Sequence, residues 1–410
     1  MAWVSLEMIE ARLLTGFPWN LLGVSQYRIL PLIQIASVSG VYGVSFVVAW
    51  FSVALACTGS VIVTRPMAAR IWVSDLLLPL IVVAGVGSHG VAQITNRETP
   101  GSTVKIALVQ PSIPQTLIWD PKENTNRFNQ LIRLTKRALA EEPVLLIWPE
   151  ASVPDLLRYQ PGTFEAVREI VTGHKVWMIL GADDAVPRSG SAAGRQVDFY
   201  NSSFLIDRAG EIASVYRKRR LVMFGEYVPL VRWLPFLKHL TPIGEGFAAG
   251  DRATQFSIAS HGLKTAVLIC FEDSFPHSAR EYVEPDTDFL LNLTNDGWFG
   301  ESAAQWQHAA NAAFRAVENG VPLIRCANNG LSCWVDAHGG MHNVYFPGSK
   351  DIYQAGYKII HVPILGNGTP RAPTFYRQHG DWFGWGCVWL TSAVLAWVLV
   401  HPLVNRRGHR

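Results

Sequence analysis

The sequence predicts an α/β domain tethered to membrane-spanning helices, and three observations carry that expectation. Charged residues make up 16% of the 410 residues, well below the roughly 25% of soluble domains. Long apolar runs almost free of charge sit near both ends of the chain. Between them, from about residue 103, short apolar segments alternate with stretches of helical period.

The first forty residues are irregular. Glu7, Glu10 and Arg12 interrupt their apolar character and no small-residue cleavage pattern follows, which excludes a secretory signal peptide. Residues 1–13 are expected to be the tail of a further span. Leu14-Thr15-Gly16-Phe17-Pro18-Trp19-Asn20 reads as an aromatic interfacial loop, so 1–40 form a partial span and an outer-side arm. Residues 41–63 carry no charge and are long enough to cross a hydrocarbon core of ~30 Å. Residues 71–91 hold only Asp75, so 41–92 are expected to form two transmembrane helices. A third span, 382–404, begins rich in tryptophan, as suits a lipid–water interface. Arg65 and Arg70 between the first two spans, and Arg406, Arg407 and Arg410 at the end, place both clusters in the cytoplasm by the positive-inside rule. The domain at 103–370 then lies outside, which in a bacterium with two membranes is the periplasmic side of the inner (cytoplasmic) membrane.

Within that domain, strands are expected at 104–110, 144–148, 176–181, 201–206, 265–270 and 289–293. Phe128, Leu131, Ile132 and Leu139 mark one face of a helix over 121–142, and Phe164, Val167, Ile170 and Val171 mark the next. A further helix over 303–319 stops at Asn319-Gly320, a common C-cap. Such alternation predicts helices covering sheets.

Bulk charge excludes some partners. Thirty-five Lys and Arg stand against 32 Asp and Glu, a net +3 that does not suggest nucleic acid. The histidines form no HExxH or Cys/His spacing, so no metal or other cofactor is expected. Cys326 and Cys333 flank Asn328-Asn329-Gly330, a hairpin signal; packed core residues or a cross-strand disulfide both fit.

Three positions could carry chemistry. The apolar run from Ala266 ends abruptly in Cys270, with Phe271, Glu272 and Asp273 behind it. A thiolate is a strong nucleophile, although a lone cysteine after a strand is more often core. Leu145-Leu146-Ile147-Trp148-Pro149-Glu150 ends another strand in a carboxylate. Arg217-Lys218-Arg219-Arg220 is a basic run, of the kind that faces solvent or phosphate, and Phe224-Gly225-Glu226-Tyr227 follows it. A thiol nucleophile needs a base and an oxyanion stabiliser, and Glu150 and Lys218 are of those types. Spacing alone does not bring them together.

The motifs Trp148-Pro149-Glu150, Lys218 ahead of Phe224-Gly225-Glu226-Tyr227-Val228-Pro229, and Cys270-Phe271-Glu272 resemble the Glu-Lys-Cys pattern of the carbon–nitrogen hydrolase (nitrilase) superfamily. Within it the chain resembles the apolipoprotein N-acyltransferase family. Leu14 to Trp19, Trp119-Asp120, Thr294 to Gly300, Trp306-Gln307-His308 and Asn328-Asn329-Gly330 match in family order over nearly the whole chain. The resemblance implies a nitrilase-like αββα sandwich attached to transmembrane α-helices, with part of the N-terminal membrane domain lacking, since the family has about eight spans. It implies Cys270 as nucleophile, Glu150 as general base and Lys218 as oxyanion stabiliser. Glu226, Glu272 and Phe271 would support them, the last through its backbone N–H, and Trp119, Trp233, Phe236 and Trp298 would meet substrate. Phe271 stands where the family usually has tyrosine, and Met223 where it commonly has proline. The implied reaction is ping-pong: Cys270 takes an acyl chain from a phospholipid as a thioester and passes it to the α-amine of a diacylglyceryl lipoprotein. Trp233, Leu234, Phe236 and Leu237 either dip into the membrane interface or pack in the core. The competing readings are a membrane-tethered amidase or nitrilase transferring to water, and an inactive truncated relative that only binds lipid or lipoprotein. A Cys–His arrangement with His308 ranks lower, because Glu150 already fills the place of the base.

Overall fold

Side-chain alternation along three parallel strands builds the first sheet. In β1 (Ser102–Gln110), Val104, Ile106 and Leu108 enter one core while Ala107 and Val109 enter another. The same split separates Leu145 and Ile147 from Leu146 in β2 (Leu145–Ile147), and Trp177 and Ile179 from Met178 and Leu180 in β3 (Trp177–Pro187). Both faces are therefore covered, as parallel strands require. Antiparallel β4 (Val197–Ile206) and β5 (Ile212–Arg217) extend one edge. The structure is a computed structural model and describes residues 1–64, 69–96, 102–118, 120–188, 197–229, 236–237, 246–365 and 370–407. Arg65, Arg410, Trp119, Trp233 and Leu234 lie outside the described residues.

The second sheet repeats the plan. β6 (Gln255–Ile258) pairs antiparallel with β7 (Leu263–Ile269). β7, β8 (Phe289–Thr294) and β9 (Leu323–Ala327) are parallel, and β10 (Cys333–Val335) and β11 (Met341–His342) continue antiparallel. The last strand, β12 (Gly356–Ile364), returns to the first sheet beside β1. Helices Asn124–Leu139 and Pro161–His174 cover the first sheet through Leu131, Leu134, Val167, Ile170 and Val171. Helices Pro276–Glu281 and Ala304–Asn319 cover the second, the latter approaching closely through Ala312, Ala313 and Ala316. The order helix–sheet–sheet–helix is the expected αββα sandwich.

Among the described residues, three helices are long and apolar enough to cross a membrane, within Ala36–Thr64, Asp75–Thr95 and Trp382–His401. Their outer stretches expose Leu77, Leu78, Trp389 and Leu399, whereas Val41, Tyr42 and Val44 are buried where the first helix meets the sandwich. That helix breaks at Gly40, whose φ is 67° and whose Cβ would lie 2.5 Å from the Tyr376 ring. The Val41 N–H beside the break donates to Glu318 Oε1 at 2.8 Å. Ala2–Glu10 lies against the C-terminal helix, with Ser5 Oγ donating to Thr391 Oγ1 at 3.0 Å.

One expectation changes in detail, and one open choice is resolved. The helix expected over 121–142 is Asn124–Leu139, because Asp120 caps a separate short turn by accepting the Lys122 N–H at 3.0 Å. Cys326 and Cys333 are free thiols. The register sets Cys333 opposite Arg325, so it shares that residue's face toward the covering helices. Cys326 points the other way, toward the Val109 and Ile147 carbonyls, and the two sulfurs cannot meet.

Candidate active site

Three strand ends converge on one rim. After β2, Trp148 is buried and its indole N–H donates to Thr135 Oγ1 at 2.8 Å, which anchors the turn carrying Glu150. That turn presses on β3 at Gly181, where a Cβ would stand 2.5 Å from the Pro149 carbonyl oxygen. β5 is antiparallel to β4, and β4 to β3, so β5 runs with β3 and delivers Lys218 to the same rim. Cys270 follows β7 in the second sheet, in a left-handed conformation with φ of 53°. Such a backbone costs about 1–3 kcal/mol in a non-glycine residue and persists only when clamped. Here the Cys270 carbonyl accepts from Asn292 Nδ2 at 2.8 Å and lies 3.3 Å from His308 Nε2.

Glu150 joins the two sheets. Its Oε1 accepts from Asn201 Nδ2 at 2.8 Å and Lys218 Nζ at 3.4 Å, and its Oε2 accepts the Asn295 N–H at 2.9 Å from the end of β8. Lys218, 1% exposed, also donates to Glu226 Oε1 at 2.8 Å. Asn201 Nδ2 reaches Glu226 as well, at 3.0 Å, and Glu226 Oε2 accepts the Val222 N–H at 2.9 Å.

Glu272 faces away from this cluster. Its Oε2 accepts the Ile269 N–H at 2.7 Å, while its Oε1 accepts the Arg219 N–H at 2.8 Å, the Arg220 N–H at 3.0 Å and the Tyr216 hydroxyl at 2.8 Å. It therefore ties the end of β7 to the segment that carries Lys218. Phe271 is buried between Phe17, at 6.0 Å, and Phe275, at 5.0 Å between ring centroids. Trp298 is 56% exposed and Phe236 is 60% exposed, so the described part of the 233–237 loop is not packed in the core.

The charges set the proton positions. Burial, reinforced by Glu150, pushes the Cys270 thiol well above the ordinary range, and Lys218 only partly opposes it. The resting sulfur is therefore protonated. Burial also works against the Lys218 ammonium, but Glu226 and Glu150 more than offset it and hold the pKa well above that of an ordinary lysine. Burial with the same two carboxylates raises Asp183 to about 7. Glu150 and Glu226 share the Lys218 ammonium, so these three groups carry a formal surplus of one negative charge.

A second ionic cluster backs the nucleophile. His308 Nδ1 lies 2.7 Å from Asp296 Oδ1 and its Nε2 lies 2.9 Å from Asp273 Oδ1. Arg325 donates to Asp273 at 2.7 Å and to Asp296 at 3.2 Å. Burial disfavours the imidazolium, yet Asp273 and Asp296 raise His308 to about 9. With both ring nitrogens donating, His308 has no lone pair for a thiol proton, which removes the Cys–His alternative.

Neither Asn201 nor Asn295 was legible as a site residue. Asn295 lies in the matched motif from Thr294 to Gly300 and closes the apolar run Leu293-Thr294-Asn295, but neither pattern marks it as a partner of Glu150.

An αββα sandwich with Glu, Lys and Cys gathered on one rim defines the carbon–nitrogen hydrolase class, and residues 105–348 match the Carbon-nitrogen hydrolase family. Residues 1–54 match the Apolipoprotein N-acyltransferase N-terminal domain. The apolipoprotein N-acyltransferase of Geobacter metallireducens is 34% identical over 97% of this chain and 73% of its own. That of Rickettsia prowazekii is 34% identical over 83% of this chain and 65% of its own. The chain belongs to the apolipoprotein N-acyltransferase family, and spans roughly two-thirds to three-quarters of the length of these relatives. Among solved structures, an amidase from Nesterenkonia sp. is similar at 19% identity and a TM-score of 0.44, over 69% of this chain and 98% of that one.

Proposed function

We propose that Cys270 is the acyl-accepting nucleophile, Glu150 its general base and Lys218 the cation that receives the oxyanion. Family membership makes the chain an N-acyltransferase acting on lipoproteins. In the first half-reaction the sulfur attacks an ester carbonyl of a phospholipid while Glu150 takes the thiol proton. Negative charge moves onto the carbonyl oxygen, where the Lys218 ammonium and the Phe271 N–H meet it. Collapse expels the lysophospholipid alkoxide, which recovers the proton from Glu150 and leaves a thioester on Cys270. In the second half-reaction the neutral α-amine of an S-diacylglyceryl cysteine attacks the thioester and gives a proton to Glu150. The departing thiolate takes that proton back, and the product is an amide.

The observation that carries this reading is the surplus negative charge beside a neutral thiol. A base is required because the sulfur rests protonated, and the cluster of Glu150, Glu226 and Lys218 becomes neutral on accepting one proton. Glu226 holds Lys218, and Glu272 positions the two strand ends. Leu13, Leu14, Phe17, Trp298 and Phe299 are exposed, and Phe17 touches Phe271 while Trp19 touches Phe299. These apolar side chains support a mouth that opens to lipid. Trp119 and Trp233 complete the substrate contacts that the family resemblance suggests. The basic residues flanking the spans support a sandwich on the outer face, which in a bacterium with two membranes is the periplasmic side of the inner membrane.

Mass spectrometry of the purified full chain with phospholipid tests the assignment. An acyl adduct is expected on Cys270 in the wild type, absent in Cys270→Ala and formed far more slowly in Glu150→Gln. An adduct that persists in Cys270→Ala would overturn it, and an adduct cleared by water but unaffected by amine acceptors would favour a hydrolase.

A further inference from the structure

Among the described residues, one member of the basic run 217–220 has no carboxylate partner. Arg217 pairs with Asp184 at 3.2 Å, Lys218 with Glu226 and Glu150, and Arg219 with Glu281 at 2.9 Å. No carboxylate stands within ion-pair distance of Arg220 among the described residues. Its Nε donates to Ser278 Oγ at 3.1 Å, its Nη2 lies 3.3 Å from His277 Nε2, and its guanidinium carbon lies 5.5 Å from the centre of the Phe275 ring. These partners are neutral, because burial holds His277 down at about 4. Two of the five guanidinium donors are used in this way. The side chain is braced from one side, with donors and a full positive charge left over.

That charge borders a cavity of about 360 Å³ whose other walls include Arg219, Leu221, Tyr227, Phe247 and Phe275. The cavity is linked to the segment that carries the nucleophile through two sets of contacts. Phe275 packs edge-on against Phe271, and Glu272 binds the Arg219 and Arg220 N–H groups with one oxygen and the Ile269 N–H with the other. On its far side Tyr227 donates to Thr15 Oγ1 at 3.4 Å, in the arm that joins the chain's first helix to its membrane spans. Apolar walls edged by an unneutralised guanidinium fit an amphiphile with an anionic group.

We propose that Arg220 binds the phosphate diester of the acyl-donor lipid and so places the donor's ester carbonyl at Cys270. This inference rests on the proposed acyl transfer and adds a site that tells the two substrates apart. The donor carries a phosphate, which a guanidinium binds through paired N–H bonds. The acceptor presents an amine and an uncharged diacylglyceryl group, which the same guanidinium does not attract. A phosphate seated at Arg220 therefore favours the donor in the first half-reaction, and leaves with the lysophospholipid before the acceptor enters.

The test compares two donors in detergent micelles that share the same ester and differ in the phosphate: dioleoyl phosphatidylethanolamine and dioleoylglycerol. Acylation of Cys270 in the full chain is followed by mass spectrometry. The wild type is expected to prefer the phospholipid. Arg220→Gln should lower that preference at least tenfold, mainly through KM, and Arg220→Lys should restore part of it. Because the readout is a ratio within one preparation, a partly unfolded fraction cancels. Soluble glycerophosphoethanolamine should compete with the phospholipid in the wild type more strongly than inorganic phosphate does. Equal losses with both donors, or no loss, overturn the inference while leaving acyl transfer in place. Equal competition by inorganic phosphate overturns the lipid as the source of the anion. A wild type that neither donor acylates overturns acyl transfer itself, and this inference with it.

Discussion

Two clusters of buried ions flank Cys270, and their contrast separates chemistry from support. The rim cluster sets Glu150 and Glu226 against Lys218 alone and carries one surplus negative charge. The backing cluster sets Asp273 and Asp296 against His308 and Arg325, two against two, and all four are 0% exposed. A group whose charges balance pair for pair has nothing to gain from a proton, so it holds geometry. An unbalanced group beside a protonated thiol has a reason to take one. Burial is common to both, and charge count distinguishes them.

Substitution at the two clusters should fail in different ways. Cys270→Ala should abolish acylation altogether with the melting temperature little changed, as read by mass spectrometry and thermal unfolding in detergent. Glu150→Gln should slow acylation by about 10²–10⁴-fold, the usual worth of a general base, again with little effect on melting. A slow variant that also melts far below the wild type would place Glu150 among the supports instead.

His308→Gln should show the reverse balance. It strips a cation from two buried aspartates, which costs about 3–5 kcal/mol of stability. The pH dependence carries the same signature. His308 is raised in the folded state, from an ordinary 6.5 to about 9, so its contribution is complete below about 6.5 and is lost as pH rises through about 9. A shift of that size is worth about 3 kcal/mol. The wild-type melting temperature should therefore fall between those pH values, and the His308→Gln profile should be flatter. Parallel profiles would remove His308 from the supporting role.

The smallest effect is expected at the link within the rim. Asn201→Ala removes one amide that serves both Glu150 and Glu226, and a hydrogen bond to a charged group is worth about 1.5–3 kcal/mol. Acylation should slow by about tenfold or somewhat more, because Lys218 still bridges the two carboxylates. A loss as large as that of Glu150→Gln would make Asn201 a full member of the proton path.

Much of the fold was legible because it is written in local periodicity. The strand over 289–293, the helix ending at Asn319-Gly320 and the three apolar helices all appear close to their expected limits. β3 runs on past Gly181 to Pro187, since Asp183 and Asp184 look like strand-ending residues until β4 pairs with them. β5 hides because its end merges into the basic run. Pairing between distant strands, rather than propensity, decides both.

The site divides along the same line. Sequence alone determined the residue types and their motifs, and through them the family: Glu150 after an apolar strand, Lys218 in the basic run, Cys270 at a strand end. Only the tertiary structure decided which charges stand together. It brought Glu150 of one sheet onto Asn295 of the other, turned Glu272 away from the thiol and committed His308 to two aspartates. It also gave the basic neighbours 217–219 carboxylate partners and, among the described residues, set none at ion-pair distance from Arg220. The physical reason is that charge and hydrogen-bond complementarity act through space over a few ångströms, between residues dozens of positions apart in the chain. A linear pattern records the residues available, and folding sets their distances.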